Sequence, residues 1–184
     1  DSFQKDFSEM RNIEIKAKIN RPDDIITCLK GMNVTEGSII KQHDTFFKVA
    51  EGRLKLREFE DGSGEIIFYK RTDMLGPKLC SYEKVTLDPS SCEGMRKVLT
   101  ASNGCLGIVK KVRNLYMVGQ TRVHVDEVDG LGHFMELEVV LTDDQSIDAG
   151  EEIAQNLMKK LGVKSDDLIA GAYIDLLTKV KASS

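Results

Sequence analysis

The stretch RNIEIKAKIN, residues 11–20, alternates strictly: Ile13, Ile15, Ala17 and Ile19 fall on one face of an extended strand, and Glu14, Lys16 and Lys18 on the other. A charged strand face ordinarily meets bulk water. It can also converge with other charged faces on an enclosed space. Which of the two holds decides the fold.

The same pattern recurs along the chain. Lys55 and Arg57 share one face of GRLKLREF (52–59), and Lys111 and Arg113 repeat that spacing. Arg122, His124 and Asp126 alternate with valines, and Glu136 and Glu138 alternate with Met135, Leu137 and Val139. Lys70 and Arg71 are adjacent at the end of a strand, so one of them must join the charged face. Wet strand faces usually mix Thr, Ser and Gln with charges, whereas these repeat K-x-R or E-x-E.

Strands are expected over 12–19, 37–49, 52–59, 64–72, 78–87, 106–118, 121–128 and 133–141, with a hairpin across the glycine-containing EDGSG turn. Helical patterns cover 21–32, 88–102 (capped by Asp88 or Ser90), 146–162 and 165–180. No Pro/Gly/Ser-rich linker divides them and no repeat period is present. The expectation is an N-terminal extension, 1–10, and one domain, 11–180.

Eight antiparallel strands closing into a barrel would give an α+β fold with a charged lumen and helices packed outside. Such a lumen is prohibitively costly if dry and unpaired, and reasonable if filled by water and a polyanion. Alternate Lys and Arg offer charge-assisted bonds to phosphate oxygens. Clustered glutamates supply the hard oxygen ligands that Mg²⁺ or Mn²⁺ prefers.

Composition sets the outer bounds. The 184 residues are 41% hydrophobic and 30% charged, as in a globular chain. The net charge of −4 provides no global positive field for nucleic acid, so no nucleic-acid partner is expected. No apolar run reaches the roughly 20 residues that span a bilayer, and no membrane partner is expected. Cys28, Cys80, Cys92 and Cys105 have no metal-site spacing and read as reduced packing thiols. A cytoplasmic location is the default expectation; the start at Asp1 and the four cysteines leave open a secreted form with a disulfide.

NIEIKAK resembles the E-x-E-x-K opening of the CYTH proteins, also called triphosphate tunnel metalloenzymes. The likeness extends through QHDTFF, GRLKLRE, YKR, KKVRNLY, TRVHVDEVDGLGHFMELEVVL and the late AYIDLL, covering about 11–178. It implies an eight-stranded antiparallel tunnel that binds a triphosphate with a divalent cation, Mg²⁺ or Mn²⁺. Carried over by position, Glu14, Glu136 and Glu138 are metal ligands, Asp126 orients a metal or a cation, and Lys16 lies near the reacting phosphate with Glu138. Lys16, Lys18, Lys55, Arg57, Lys70, Lys111, Arg113 and Arg122 grip phosphates. The implied partner is a triphosphate-bearing small molecule: tripolyphosphate, a nucleotide or thiamine triphosphate. A homodimer is compatible with the reading.

Two positions depart from the family pattern. Asn12 stands where the first glutamate is expected, removing one carboxylate. Phe46 replaces a frequent tyrosine, so no phenol there can pair with Lys16, which weighs against a thiamine triphosphatase. Three functions are carried forward: metal-dependent triphosphate hydrolysis first, a class IV type adenylyl cyclase second, and a non-catalytic polyphosphate binder third. Among the histidines, His43, His124 and His133, the best-placed general base is His124; a structural role is the commoner one.

Overall fold

Strand alternation is realised as a closed barrel. The computed structural model describes residues 10–32, 34 and 37–182. The expected extension, 1–10, lies outside them except for Met10. The strands are β1 (Met10–Lys18), β2 (Ser38–Phe47), β3 (Arg53–Glu58), β4 (Gly64–Arg71), β5 (Lys78–Leu87), β6 (Cys105–Val118), β7 (Thr121–Val128) and β8 (Gly132–Val140). They close in the order β1-β5-β4-β3-β2-β6-β7-β8, every pair antiparallel.

Closure places the two faces of each strand in different media. Ile13, Ile15 and Ala17 of β1, Val123 and Val125 of β7, and Met135, Leu137 and Val139 of β8 point outward. They are covered by Ile25 and Leu29 of α1 (Pro22–Gly31) and by Ala154 and Leu157 of α3 (Ile147–Lys160). Gly150 lets α3 approach β1, since a Cβ there would stand 2.7 Å from Ile13 Cγ1. On another sector Cys92 of α2 (Pro89–Asn103) packs on Phe47 and Leu56. The Asp88 side chain accepts from the Ser91 amide and caps α2. The four cysteines are unbridged.

The final helix differs from the 165–180 expectation. Ser165–Asp167 forms a single 3₁₀ turn, and the chain then runs extended until α4 (Tyr173–Ala182). Leu168 bridges Ala17, and the Ile169 amide donates to the Lys16 carbonyl at 2.9 Å, so pairing with β1 outcompetes helix here. Helix resumes where Asp175 accepts from the Ala172 amide at 2.8 Å. Lys78, almost fully buried, ties down the extended stretch: its Nζ lies 3.5 Å from the Ile169 carbonyl, 3.3 Å from that of Ala170 and 3.2 Å from that of Met74. The segment brings Ala172 and Tyr173 to the cavity wall, where the rings of Phe134 and Tyr173 stand 5.0 Å apart.

Candidate active site

The inward face of the barrel encloses a cavity of about 250 Å³. Eight basic residues line it: Lys16, Lys55, Arg57, Arg71, Lys84, Lys111, Arg113 and Arg122. Five acidic residues line it with them: Glu14, Asp44, Glu65, Glu136 and Glu138. The lumen is thus cationic in a chain whose net charge is −4.

Asp44 is the hub of one wall. Arg57 donates to both its oxygens at 2.8 Å, Lys111 Nζ lies 2.9 Å away and Lys55 Nζ 3.2 Å away. Burial opposes its ionisation, but Arg57, Lys111 and Lys55 outweigh burial and hold the carboxyl well below its usual range. The lysines bear the opposite strain. Burial, with Arg57 and Arg113 nearby, brings the Lys111 ammonium down to about 7 despite Asp44, and burial and Arg57 lower Lys55. Nothing in the alternation marked Asp44, a lone carboxylate on a strand without an E-x-E partner.

The facing wall is set by register. Glu14 pairs with Glu138 and Lys16 with Glu136 across β1 and β8, while His124 pairs with Glu136 and Arg122 with Glu138 across β7 and β8. Burial, then Glu136 and Glu138, raise the Glu14 carboxyl, against the pull of Arg71, which donates to it at 2.7 Å. Burial also opposes charge on Glu136, but Lys16, 3.8 Å away, then His124, 3.8 Å away, and Arg113, 3.3 Å away, keep it well below the usual range.

Several expected site residues sit elsewhere or have other partners. On β4 the inward parity belongs to Glu65, Ile67, Tyr69 and Arg71, so Lys70 points outward, 59% exposed, to Glu51. Arg71, not Lys70, supplies the cation. Lys18 is exposed and lies outside the cavity wall. Asp126, expected to orient a metal or a cation, is fully buried and receives Arg113 at 2.8 and 2.7 Å and the Tyr173 hydroxyl at 2.9 Å. It orients a cation and does not line the cavity. His43 and His133 are also outside the cavity wall.

Tyr173 was missed as a site residue. Its ring stands 4.2 Å from Lys16 Nζ, placing a phenol group beside that lysine although Phe46 is not one. Phe46 instead lies 5.7 Å from Lys55 Nζ. Asn12 is buried at the cavity, its Oδ1 without a partner among the described residues.

One group of three side chains is spaced to hold a metal ion among the described residues: His124, Glu136 and Glu138 present ligand atoms within 4.8 Å of one another. Glu14 does not join it. The donor set, two carboxylates and an imidazole in a polar pocket, fits a divalent cation.

A closed eight-stranded barrel with this charged lumen can now be compared with known proteins. Residues 10–173 match the CYTH domain. The chain belongs to the CYTH domain family. A relative from Methanocaldococcus jannaschii, named as a candidate adenylate cyclase, is 26% identical over 183 residues, covering 91% of this chain and 98% of its own. The fold is also that of a Pyrococcus horikoshii protein of solved structure, with a TM-score of 0.77 at 24% identity, covering 90% of this chain and 98% of that one. A Hippeastrum protein has a TM-score of 0.62 at 17% identity, covering 88% of this chain and 91% of that one. It is described as a candidate adenylyl cyclase that reveals a dominant triphosphatase activity.

Proposed function

We propose that this CYTH protein hydrolyses inorganic or organic triphosphates in its lumen with a divalent cation. The observation carrying this reading is the excess of eight basic residues over five acidic ones around the lumen, with Lys16, Lys111 and Arg113 among them buried. Arg71 makes the point atom by atom: Nη1 is taken by Glu14, while Nε and Nη2 are buried without partners among the described residues. Buried donors left unpaired are costly, and a polyanion with many acceptor oxygens satisfies them.

Each residue's role follows from its place. Lys55, Arg57 and Lys111 converge from β3 and β6 on one wall, Arg113 follows Lys111 along β6 and Arg71 projects from β4, so phosphate charge is neutralised along the lumen. Asp44 and Asp126 hold the arginines in fixed orientation before substrate arrives, which lowers the ordering cost of binding. Glu136 and Glu138 would hold the cation, which polarises a phosphate oxygen and offsets charge developing at the scissile bond. Lys16, beside that pair and over Tyr173, is placed to stabilise charge on the transferring phosphoryl group. Water attacks the terminal phosphorus in line, the bridging P–O bond to the diphosphate portion breaks, and orthophosphate, diphosphate and one proton to solvent result.

The second reading is ring closure of ATP to cyclic AMP and pyrophosphate, favoured by the name of the Methanocaldococcus jannaschii relative. The Hippeastrum protein's dominant triphosphatase activity accords with putting hydrolysis first. Incubation with tripolyphosphate, ATP and thiamine triphosphate, with Mg²⁺ or Mn²⁺, followed by phosphorus NMR of the products, separates them. Orthophosphate release supports hydrolysis. Cyclic AMP with pyrophosphate overturns it in favour of the cyclase, and binding without any product leaves a polyphosphate binder.

A further inference from the structure

The imidazole of His124 is 97% buried, and its Nδ1 has no hydrogen-bond partner among the described residues. That atom lies 3.8 Å from Glu136 Oε2 and 3.8 Å from Glu138 Oε1, beyond hydrogen-bond reach of either. Ligand atoms around one small divalent ion, at bond lengths of about 2.1 Å, stand roughly 3.0–3.5 Å apart. The two separations from His124 exceed that by a few tenths of an ångström and the whole group lies within 4.8 Å, so side-chain rotation within the group would bring all three onto a common ion. The donors sit on one rigid element, the β7–β8 pair, where His124 lies directly across from Glu136. The fourth candidate, Glu14, is bound by Arg71, and Asn12 offers only a neutral amide.

We propose that His124 Nδ1 is the third protein ligand of the lumen cation, and that it makes this site select borderline transition ions over Mg²⁺. The inference rests on reading the lumen as a metal-dependent site. An imidazole nitrogen binds Mg²⁺ weakly but gains strength along the first-row series, so a mixed nitrogen and carboxylate set favours Co²⁺ and, less strongly, Mn²⁺. An all-carboxylate set shows that preference more weakly. His124 thus compensates for the carboxylate that Asn12 does not provide, at the cost of Mg²⁺ affinity.

Metal binding is read without substrate, so the outcome does not depend on turnover. Pulsed electron paramagnetic resonance of the Mn²⁺-loaded protein should show coupling to a directly bound ¹⁴N, absent in His124→Gln. Calorimetric titrations should show Co²⁺ bound at least about tenfold more tightly than Mg²⁺, with that ratio falling about tenfold or more in His124→Gln. Mn²⁺ bound with no ¹⁴N coupling in the unmodified protein overturns the proposal even if the variant fails to fold, and so does an unchanged Co²⁺ to Mg²⁺ ratio in a folded variant. Nitrogen-coupled Mn²⁺ without hydrolysis of any triphosphate supports the ligand and overturns the proposed function. Mg²⁺-dependent hydrolysis with no nitrogen coupling does the reverse.

Discussion

Arg71 on β4 donates to the Glu14 carboxylate on β1 at 2.7 Å, reaching past β5, the strand between them. The pair is almost wholly buried, whereas the neighbouring Lys70 pairs with Glu51 in solvent. Removing Arg71 strands a buried carboxylate. Arg71→Ala should cost about 3 kcal/mol in urea unfolding, while Lys70→Ala should stay within about 0.5 kcal/mol. Tripolyphosphate affinity should follow the same order. Equal effects of the two substitutions would contradict the inward assignment.

Asp44 holds three basic side chains, Lys55, Arg57 and Lys111, whose charges would otherwise repel one another. Asp44→Asn should lower stability by about 3–5 kcal/mol in plain buffer. Tripolyphosphate should then restore more of the melting temperature than it adds to the unmodified protein, because its oxygens replace the lost carboxylate. A melting shift no larger than that of the unmodified protein would argue that these cations do not face the ligand.

Lys111, brought down to about 7 by burial with Arg57 and Arg113 nearby, is only partly charged near neutrality. Phosphate oxygens beside it would raise it again, so binding at about pH 8 should take up a proton, and affinity should fall as pH rises above about 7. Calorimetry in buffers of different ionisation enthalpy measures that uptake. For folding the sign is opposite to that of a stabilising ion pair. The unfolded chain binds this proton more tightly, so the destabilisation due to Lys111 eases as pH rises from about 7 toward 10. Binding heats independent of the buffer would remove Lys111 from the ligand's surroundings.

Glu138 is partly accessible and lies 3.4 Å from Arg122. Glu138→Gln should leave folding within about 1 kcal/mol and lower metal-dependent turnover by at least about a hundredfold. Turnover that survives the substitution would dismiss Glu138 as a metal ligand.

How much of this was legible beforehand follows from strand parity. Period-two alternation at Glu14 and Lys16, Lys55 and Arg57, Lys111 and Arg113, and Glu136 and Glu138 was sufficient to bring those pairs to one lumen. Parity failed at Lys70 and Arg71 because both neighbours are cationic, and only the strand's phase, set by Tyr69 and Ile67, distinguishes them. Asp44 and Tyr173 were invisible for another reason. Their importance lies in partners 11 to 67 residues away for Asp44 and 47 away for the Tyr173 hydroxyl. The segment after Asp167 carries a helical pattern, yet the open edge positions of β1 at Lys16 and Ala17 draw it into extended pairing, a tertiary effect that propensity does not encode.

The most direct test of the lumen as a triphosphate site is calorimetric titration of the Glu138→Gln protein, which should leave substrate intact, with tripolyphosphate and with orthophosphate at two ionic strengths. Tripolyphosphate should bind at one site at least about tenfold more tightly than orthophosphate, weaken as salt rises, and lose affinity in a Lys55→Ala, Arg57→Ala background. Equally weak binding of both anions, indifferent to Lys55 and Arg57, would contradict the account.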